Sequence, residues 1–477
     1  MKQEHPTIAS TCSIKDAMQV IEDFEKGICY VLLENRLIGV LTDGDIRRAL
    51  LGSSSINDQV DSVMNRDFVS YPIETDSKII RERFSKRIRF IPLVDQNGLL
   101  VDVADPQGNF RISVLEPSMQ GNEMNYVTEC IKTNWISSQG KFVTQFEEVF
   151  EEFHPGTHAL AVSNGTAALH LALVALGVGP GDEVIVPNLT FAASANAVIH
   201  AGASPVFCEI NSDTWCLEPN EVKELIGPKT KAIMPVHLYG QPCDMKALRD
   251  ICDEYNLLMI EDSAEALGSE WNGQRVGTFG DAASFSFFGN KTISTGEGGM
   301  VLFKNQKVTE KASVIRDHGM SKNKRYWHEI VGYNYRLTNI QAAIGLAQME
   351  KIESILSKKL KIAEIYDNAL SNVSKVILPQ NVINTLHSNW LYGVILSEDI
   401  NRDHVINELL ALGIESRPFF YSLNSMRPYA SYKVSSKTHN CLKVSSHGIS
   451  LPSSISLTEN DIIFISNSLI RILFKLT

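Results

Sequence analysis

The sequence predicts an α/β protein. A largely parallel sheet, covered on both faces by helices, is followed by a smaller α+β region and preceded by a tandem repeat. Three observations predict this. Between about residues 125 and 350, short continuous apolar runs alternate with helical stretches, the pattern of strands buried on both faces. Beyond about residue 355 come a long polar helix, the apolar run WLYGVIL and further helices. The first ~115 residues have a rhythm of their own, a strand–turn–strand unit that occurs twice. A chain of 477 residues is too long for one small core, and the pattern divides it at 1–116, 117–355 and 356–477.

The elements follow in order. IKDAMQVIEDF has helical spacing, and GICYVLLENRLIGVLTDGDIRRALL reads as strand, turn, strand and a helix opening near Asp45. KIIRERFSKR and RIRFIPLVDQNGLLVDVAD repeat that order more weakly. Each unit of roughly 60 residues is too small to bury a stable core alone. In EPSMQGNEMNYV, Pro117 and Gly121 break the pattern and mark a boundary. HALAVS, EVIVP, SPVFCEI, KAIMPV, LLMIED, AASFSF and GMVLF are the expected strands of the central sheet, with helices such as TAALHLALVAL and MKALRDICDEY between several of them.

Composition narrows the function. With 44% hydrophobic and 21% charged residues the chain is of ordinary globular type. A net charge of −11 argues against nucleic acid as the partner, which needs a basic face. The eight cysteines form no C-x-x-C pair and no Cys/His cluster with zinc spacing, so no metal site is expected and the thiols read as reduced and cytosolic. The N-terminal stretch lacks the apolar core of a signal peptide. No run approaches the ~20 apolar residues of a membrane span. These features predict a cytoplasmic protein with no membrane partner.

Three places at strand ends carry chemistry, where ligands gather in an open α/β sheet. In AVSNGTAALHLAL a strand runs into Gly165, Thr166 and a helix. A close backbone, a hydroxyl and free helical N–H groups suit a phosphate; the same residues also fit a plain turn capped by Thr166. In LLMIEDSAEALG, Asp262 ends an apolar strand and needs a cation or donor to offset its desolvation. It suits a helix N-cap, the partner of a protonated ring nitrogen or, least well, a metal ligand. In SFSFFGNKTISTGEGG, Lys291 follows a buried strand, five residues after Ser286, with no opposite charge in sequence nearer than Glu297. Such a lysine either snorkels to the surface or is a nucleophile in a dry pocket. Together the three fit one cofactor, pyridoxal 5′-phosphate, which requires a lysine for a Schiff base and an Asp facing its ring nitrogen. A desolvated pocket keeps part of the lysine as free amine.

The segments SNGTAAL, PNLTFAAS, IEDSAEALGS, GTFGDAASFSFFGNKTISTGEGGMV, RDHG and GYNYRLTNIQAAIGLAQ resemble, in order and spacing, the DegT/DnrJ/EryC1/StrS aminotransferases. The resemblance covers about residues 118–477 and implies a fold-type I enzyme that aminates a keto group of a nucleotide-linked sugar. It implies that Gly165, Thr166 and Ser286 hold the cofactor phosphate and that Phe191 stacks on its ring. Asp262 would meet the ring nitrogen, with Glu265 near the ring hydroxyl. Asn334 would reach the phosphate of the other subunit, which makes a homodimer the least assembly with a complete site. RDHGM and ESRPFFY match loops near the sugar pocket, so His318 and Arg417 are the expected substrate contacts. SFFGNKTISTGEGG and YWHEIVGYNYRLTN are most similar to the branch acting on GDP-4-keto-6-deoxymannose; a UDP-4-keto-6-deoxy-N-acetylhexosamine is the alternative substrate. L-Glutamate is the implied amino donor. A dehydratase branch carries histidine in place of Lys291, and a nucleotide sensor with an inert catalytic half is a reading of another class.

The N-terminal repeat resembles a CBS pair, a module that often binds adenine nucleotides. In GVLTDGDIRRALL, Thr42 and Asp45 match positions that meet a ribose and open the helix, implying a regulatory nucleotide. The second copy, LLVDVADPQ, lacks the Thr-x-x-Asp pattern.

Overall fold

A computed structural model describes residues 5–475 apart from 76, 86, 106–111 and 381. The chain forms two compact units, Met1–Ile112 with Asn407–Ile414, and Ser113–Ile406 with Glu415–Thr477.

In the first unit, β1 (Thr7–Ala9), α1 (Ile14–Phe24), β2 (Ile28–Leu33), β3 (Arg36–Thr42) and α2 (Asp43–Leu51) form one repeat. β1 pairs in parallel with β2, and β2 antiparallel with β3. The second repeat has the same order in β4 (Tyr71–Pro72), α3 (Ser77–Arg83), β5 (Ile91–Val94) and β6 (Leu100–Ala104). Residues 106 and 107 of the degenerate LLVDVADPQ segment lie outside the described residues. Each repeat buries its own apolar cluster, and a third cluster containing Ile28, Tyr30, Val40 and Val103 joins them. That shared cluster supplies the burial that neither repeat has alone.

In the second unit α4 (Glu123–Lys132) and α5 (Lys141–Phe153) precede the central sheet. The sheet is built by β7 (His158–Val162), α6 (Gly165–Ala175), β8 (Glu183–Pro187), α7 (Ala193–His200), β9 (Ser204–Cys208), α8 (Pro219–Leu225), β10 (Thr230–Ile233), α9 (Met245–Tyr255) and β11 (Leu258–Asp262). β12 (Glu270–Trp271) and β13 (Gln274–Arg275) interrupt it before β14 (Ala282–Ser286) and β15 (Gly299–Phe303) complete it. The spatial order is β7-β15-β14-β11-β10-β8-β9. All seven apolar runs of the sequence are its strands. The sheet is parallel except at β15, which runs antiparallel to both neighbours. α6 is buried nearly all round, as a helix between sheet and outer helices must be.

α10 (Gln306–Arg316), α11 (Asn339–Met349) and the 19-residue α12 (Ile352–Leu370) lead to the C-terminal part. There β16 (Val376–Ile377), β17 (Thr385–Leu386), β18 (Tyr392–Leu396), α13 (Arg402–Leu410), β19 (Arg417–Pro418), α14 (His439–His447), β20 (Gly448–Leu451) and α15 (Glu459–Lys475) follow. β16, β18, β20 and β19 form an antiparallel sheet, while β17 joins β12 and β13. Among the described residues no helix is long and apolar enough to cross a membrane.

Candidate active site

The strand ends of β11 and β14 and the N-terminus of α6 open on one cavity of about 690 Å³. Gly165, Thr166, Phe191, Asp262, Glu265, Ser286, Lys291 and Arg417 all line it. Asn334 and His318 are not among its lining residues. Both are exposed. The Oδ1 of Asn334 accepts from Arg336 Nε at 3.1 Å, and the His318 carbonyl faces the His328 ring nitrogen at 2.8 Å.

Lys291 is no snorkelling surface residue. Its side chain is 13% exposed, and its Nζ lies 3.6 Å from Glu265 Oε1 and 3.8 Å from the centre of the Trp390 ring. Burial pulls its pKa down, and the Glu265 and Asp262 carboxylates oppose that pull. Asp262 and Glu265 are shifted upward by their own burial. Asp262 is steadied by Ser194 Oγ, which donates to its Oδ2 at 2.8 Å, and by the Ala264 N–H on Oδ1 at 3.2 Å. No helix follows it, so the helix-cap role is not taken up. The Oε2 of Glu265 accepts the Tyr239 N–H at 2.9 Å. Tyr239 holds a left-handed backbone with φ of 55°, a strained placement for a non-glycine residue that the carboxylate helps to fix.

The phosphate end is shaped by Gly165. A Cβ there would stand 2.8 Å from the Ser286 Cβ, so only glycine lets α6 start against β14. The helix is capped by Asn164, whose Oδ1 accepts the Ala167 N–H at 2.8 Å; Thr166 is therefore inside the helix and its hydroxyl is not the cap. The unpaired N–H groups of a first helical turn attract an anion. Phe191 projects into the cavity 59% exposed, with Phe420 5.8 Å away. A buried acid, a dry amine, an exposed aromatic face and a tight helix start suit pyridoxal phosphate residue by residue. Among the described residues no cluster of His, Cys, Asp or Glu is arranged to hold a metal.

Arg417 lines the cavity and pairs with Glu415, Nη2 to Oε1 at 3.2 Å. The other Glu415 oxygen accepts the N–H of Val114 at 3.2 Å. Val114 is fully buried, its carbonyl accepts the Ser453 N–H at 2.7 Å, and the Glu116 N–H donates to Ser454 Oγ at 2.8 Å.

Sequence reasoning missed Ser194, Tyr239 and Trp390. Ser194 ends the TFAAS segment that supplied Phe191, and a hydroxyl three residues from that aromatic was a usable signal. Nothing local marks Trp390, which lies far along the chain from Lys291.

Thr42 and Asp45 are engaged with each other. Thr42 Oγ1 donates to Asp45 Oδ2 at 2.6 Å, and the Asp45 N–H returns to Thr42 Oγ1 at 3.2 Å. This is a capping box. Arg48 adds an ion pair to Asp45 at 2.6 Å. Ser13 with Asp16 and Thr458 with Asp461 build the same arrangement elsewhere, so the Thr-x-x-Asp pattern has a structural reason independent of any nucleotide.

The fold and this cavity define an aminotransferase. The chain belongs to the DegT/DnrJ/EryC1/StrS aminotransferase family, which it matches over residues 117–470; enzymes of this family depend on pyridoxal phosphate. Residues 1–52 match the CBS domain. Among curated proteins the chain is similar to the GDP-perosamine synthases of Caulobacter vibrioides, 48% identical over 74% of this chain and 95% of that protein, and Vibrio cholerae, 46% over 75% and 97%. Among solved structures it is similar to the aminotransferase TlmJ from Streptoalloteichus hindustanus, with a TM-score of 0.73 and 28% identity over 77% of this chain and 100% of that one. Helicobacter pylori PseC, an aminotransferase of pseudoaminic acid biosynthesis, gives 0.73 and 26% over 76% and 100%.

Proposed function

We propose that this protein transfers an amino group from L-glutamate to C4 of GDP-4-keto-6-deoxymannose, giving GDP-perosamine, with pyridoxal phosphate as cofactor. One observation carries the chemistry: a desolvated lysine amine faces two buried carboxylates in a single cavity. The identity with enzymes named GDP-perosamine synthase supports the substrate. When bound, the cofactor supplies an electron sink for the charge left at the carbon that loses its proton. Lys291 anchors it and, with its lowered pKa, takes a proton at Nζ and returns it. Asp262, held by Ser194, would face the ring nitrogen and favour its protonated form. Gly165, Thr166 and Ser286 would receive the phosphate, Phe191 would cover one ring face, and Glu265 would lie by the ring hydroxyl. Arg417 offers the cavity a cation for the substrate.

The test incubates the protein with L-glutamate and GDP-, UDP- and dTDP-linked 4-ketosugars and identifies the aminated product. Amination of the GDP-linked 6-deoxyhexose above the others is the expected outcome. Preference for a UDP-linked N-acetylated sugar would move the substrate to the second reading, and no amination of any would remove the proposal.

In this reading Asn334, exposed and outside its own chain's cavity, completes the site of a second subunit. Lys291→Ala and Asn334→Ala proteins, each impaired alone, are then expected to regain activity when their subunits are mixed, because one hybrid site keeps both residues. Mixed dimers that stay inactive would count against sharing.

The N-terminal unit is proposed to take an adenine or guanine nucleotide at Thr42 and Asp45. Loss of a capping side chain costs about 1 kcal/mol whether or not a ligand binds, so the control matters. Calorimetry on the full chain is expected to show nucleotide binding that Asp45→Ala removes and Asp16→Ala, which opens the matching box of α1, leaves in place. Absence of heat with any common nucleotide would reduce Thr42 and Asp45 to their cap.

A further inference from the structure

Another buried amine of the catalytic unit is unused by the mechanism above. Lys359, on α12, is 2% exposed. Its Nζ donates to the Trp390 carbonyl at 2.9 Å and the Ser453 carbonyl at 2.6 Å. Burial pulls its pKa down to about 7. A lysine is costly to bury, and an apolar side chain of the same length would fill the space without that cost.

What Lys359 holds explains the placement. Trp390 is itself 4% exposed and spans from Lys359 to the reactive lysine. Its ring covers the Lys291 Nζ at 3.8 Å, and its indole Nε1 donates at 2.6 Å to the carbonyl of Asn290, the residue before Lys291. Trp390 thus grips the turn that carries Lys291 and screens the amine at its tip. Lys359 fixes the backbone of Trp390 just before β18 and ties it to Ser453, just beyond β20. Lys291 and Lys359 line the same narrow cleft, opposite the chain segment that contains Glu116.

We propose that Lys359 is a positioning residue for Lys291, acting through Trp390, which it pins over the amine so that water stays out and the side chain keeps one orientation. The proposal rests on the reading of Lys291 as the reactive amine, but its test uses no substrate, so the two can fail separately. The charged groups facing Lys291 are Glu265 and Asp262; Glu116 faces the cleft beside Lys359.

The experiment reads the Lys291 amine directly. The full chain, freed of cofactor, is acetylated by trace acetic anhydride from neutral to strongly alkaline pH, and the Lys291 peptide is quantified by mass spectrometry. Lys359→Met and Trp390→Leu are each expected to raise the midpoint of Lys291 reactivity by about one pH unit, because readmitted water favours the ammonium form. The double variant is expected to go no further than Trp390→Leu alone. A change confined to structural support would lower the melting temperature and leave the midpoint where it is. If Lys359→Met does not fold, Lys359→Gln, one bond shorter and unable to reach both carbonyls, takes its place in the same cycle. An unchanged midpoint in either single variant, or full additivity in the double, overturns the proposal.

Discussion

Replacing Lys291 with alanine is expected to lower amination by roughly 10⁴-fold or more, since in the proposed reaction one group serves as covalent anchor and proton carrier. The fold should survive. The lost side chain is a desolvated amine whose pKa burial has already lowered, so its removal takes away a cost rather than a support. Turnover with L-glutamate and the keto sugar, read beside a thermal melt of the same preparation, separates the two. A variant that aminates near the wild-type rate would exclude Lys291 from the reaction, and one that no longer folds would show that the turn after β14 depends on it.

Asp262→Asn is expected to cost turnover about 10²- to 10³-fold, the scale of losing one preorganised electrostatic contact. It should also raise the melting temperature of the cofactor-free protein at neutral pH. The sign follows from the upward shift of Asp262 in the fold, caused first by burial. The folded state then holds its proton more tightly than the unfolded chain. The stability Asp262 contributes is fully present below its ordinary carboxylate pKa and is lost as pH rises through its folded value. At neutral pH the carboxylate is a liability that asparagine lacks, while Asn can still accept from Ser194. The gain in melting temperature should shrink as pH falls toward the ordinary carboxylate range. Equal melting at all pH values would mean that Asp262 is not held as a desolvated charge.

The central sheet was legible because its strands are continuous apolar runs bounded by turns, and all seven were found. The antiparallel direction of β15 was not, since GMVLF is as buried as the strands that run parallel to one another and burial alone does not encode direction. β12, β13 and β17 have two residues each, too few for any periodicity. In the site, Gly165, Asp262 and Lys291 were readable because each sits at a strand end with a local signature. Glu265, 26 residues before Lys291 in sequence, came only from resemblance, and its contact with the amine is a product of the fold. Trp390 and Lys359 were invisible for the same reason: a tryptophan before a strand and a lysine in a polar helix are ordinary until the fold brings Trp390 against the turn that carries Lys291, and Lys359 against Trp390. Thr42 and Asp45 show the converse, a motif whose local cap is plain in the structure whatever it binds.

The segment from Ser113 to Ser118 bears on how modular the protein is. Residue 116 looked like the end of an appendage, yet Val114 is buried in the catalytic core, Glu116 is bonded to Ser454, and the Ser118 carbonyl accepts from Gln348. A cut after residue 116 therefore removes a piece of the enzyme along with its N-terminal neighbour. It strips Glu415 of the Val114 N–H, and Glu415 also pairs with Arg417, on the cavity wall. A transplant of the N-terminal unit onto another aminotransferase would have to leave residues 113–118 behind, since their packing and hydrogen bonds belong to the catalytic unit. The boundary falls at residue 112 but is not a single cut, because Asn407–Ile414 belong with the N-terminal unit and the Ile112 N–H donates to the Gly413 carbonyl at 2.8 Å.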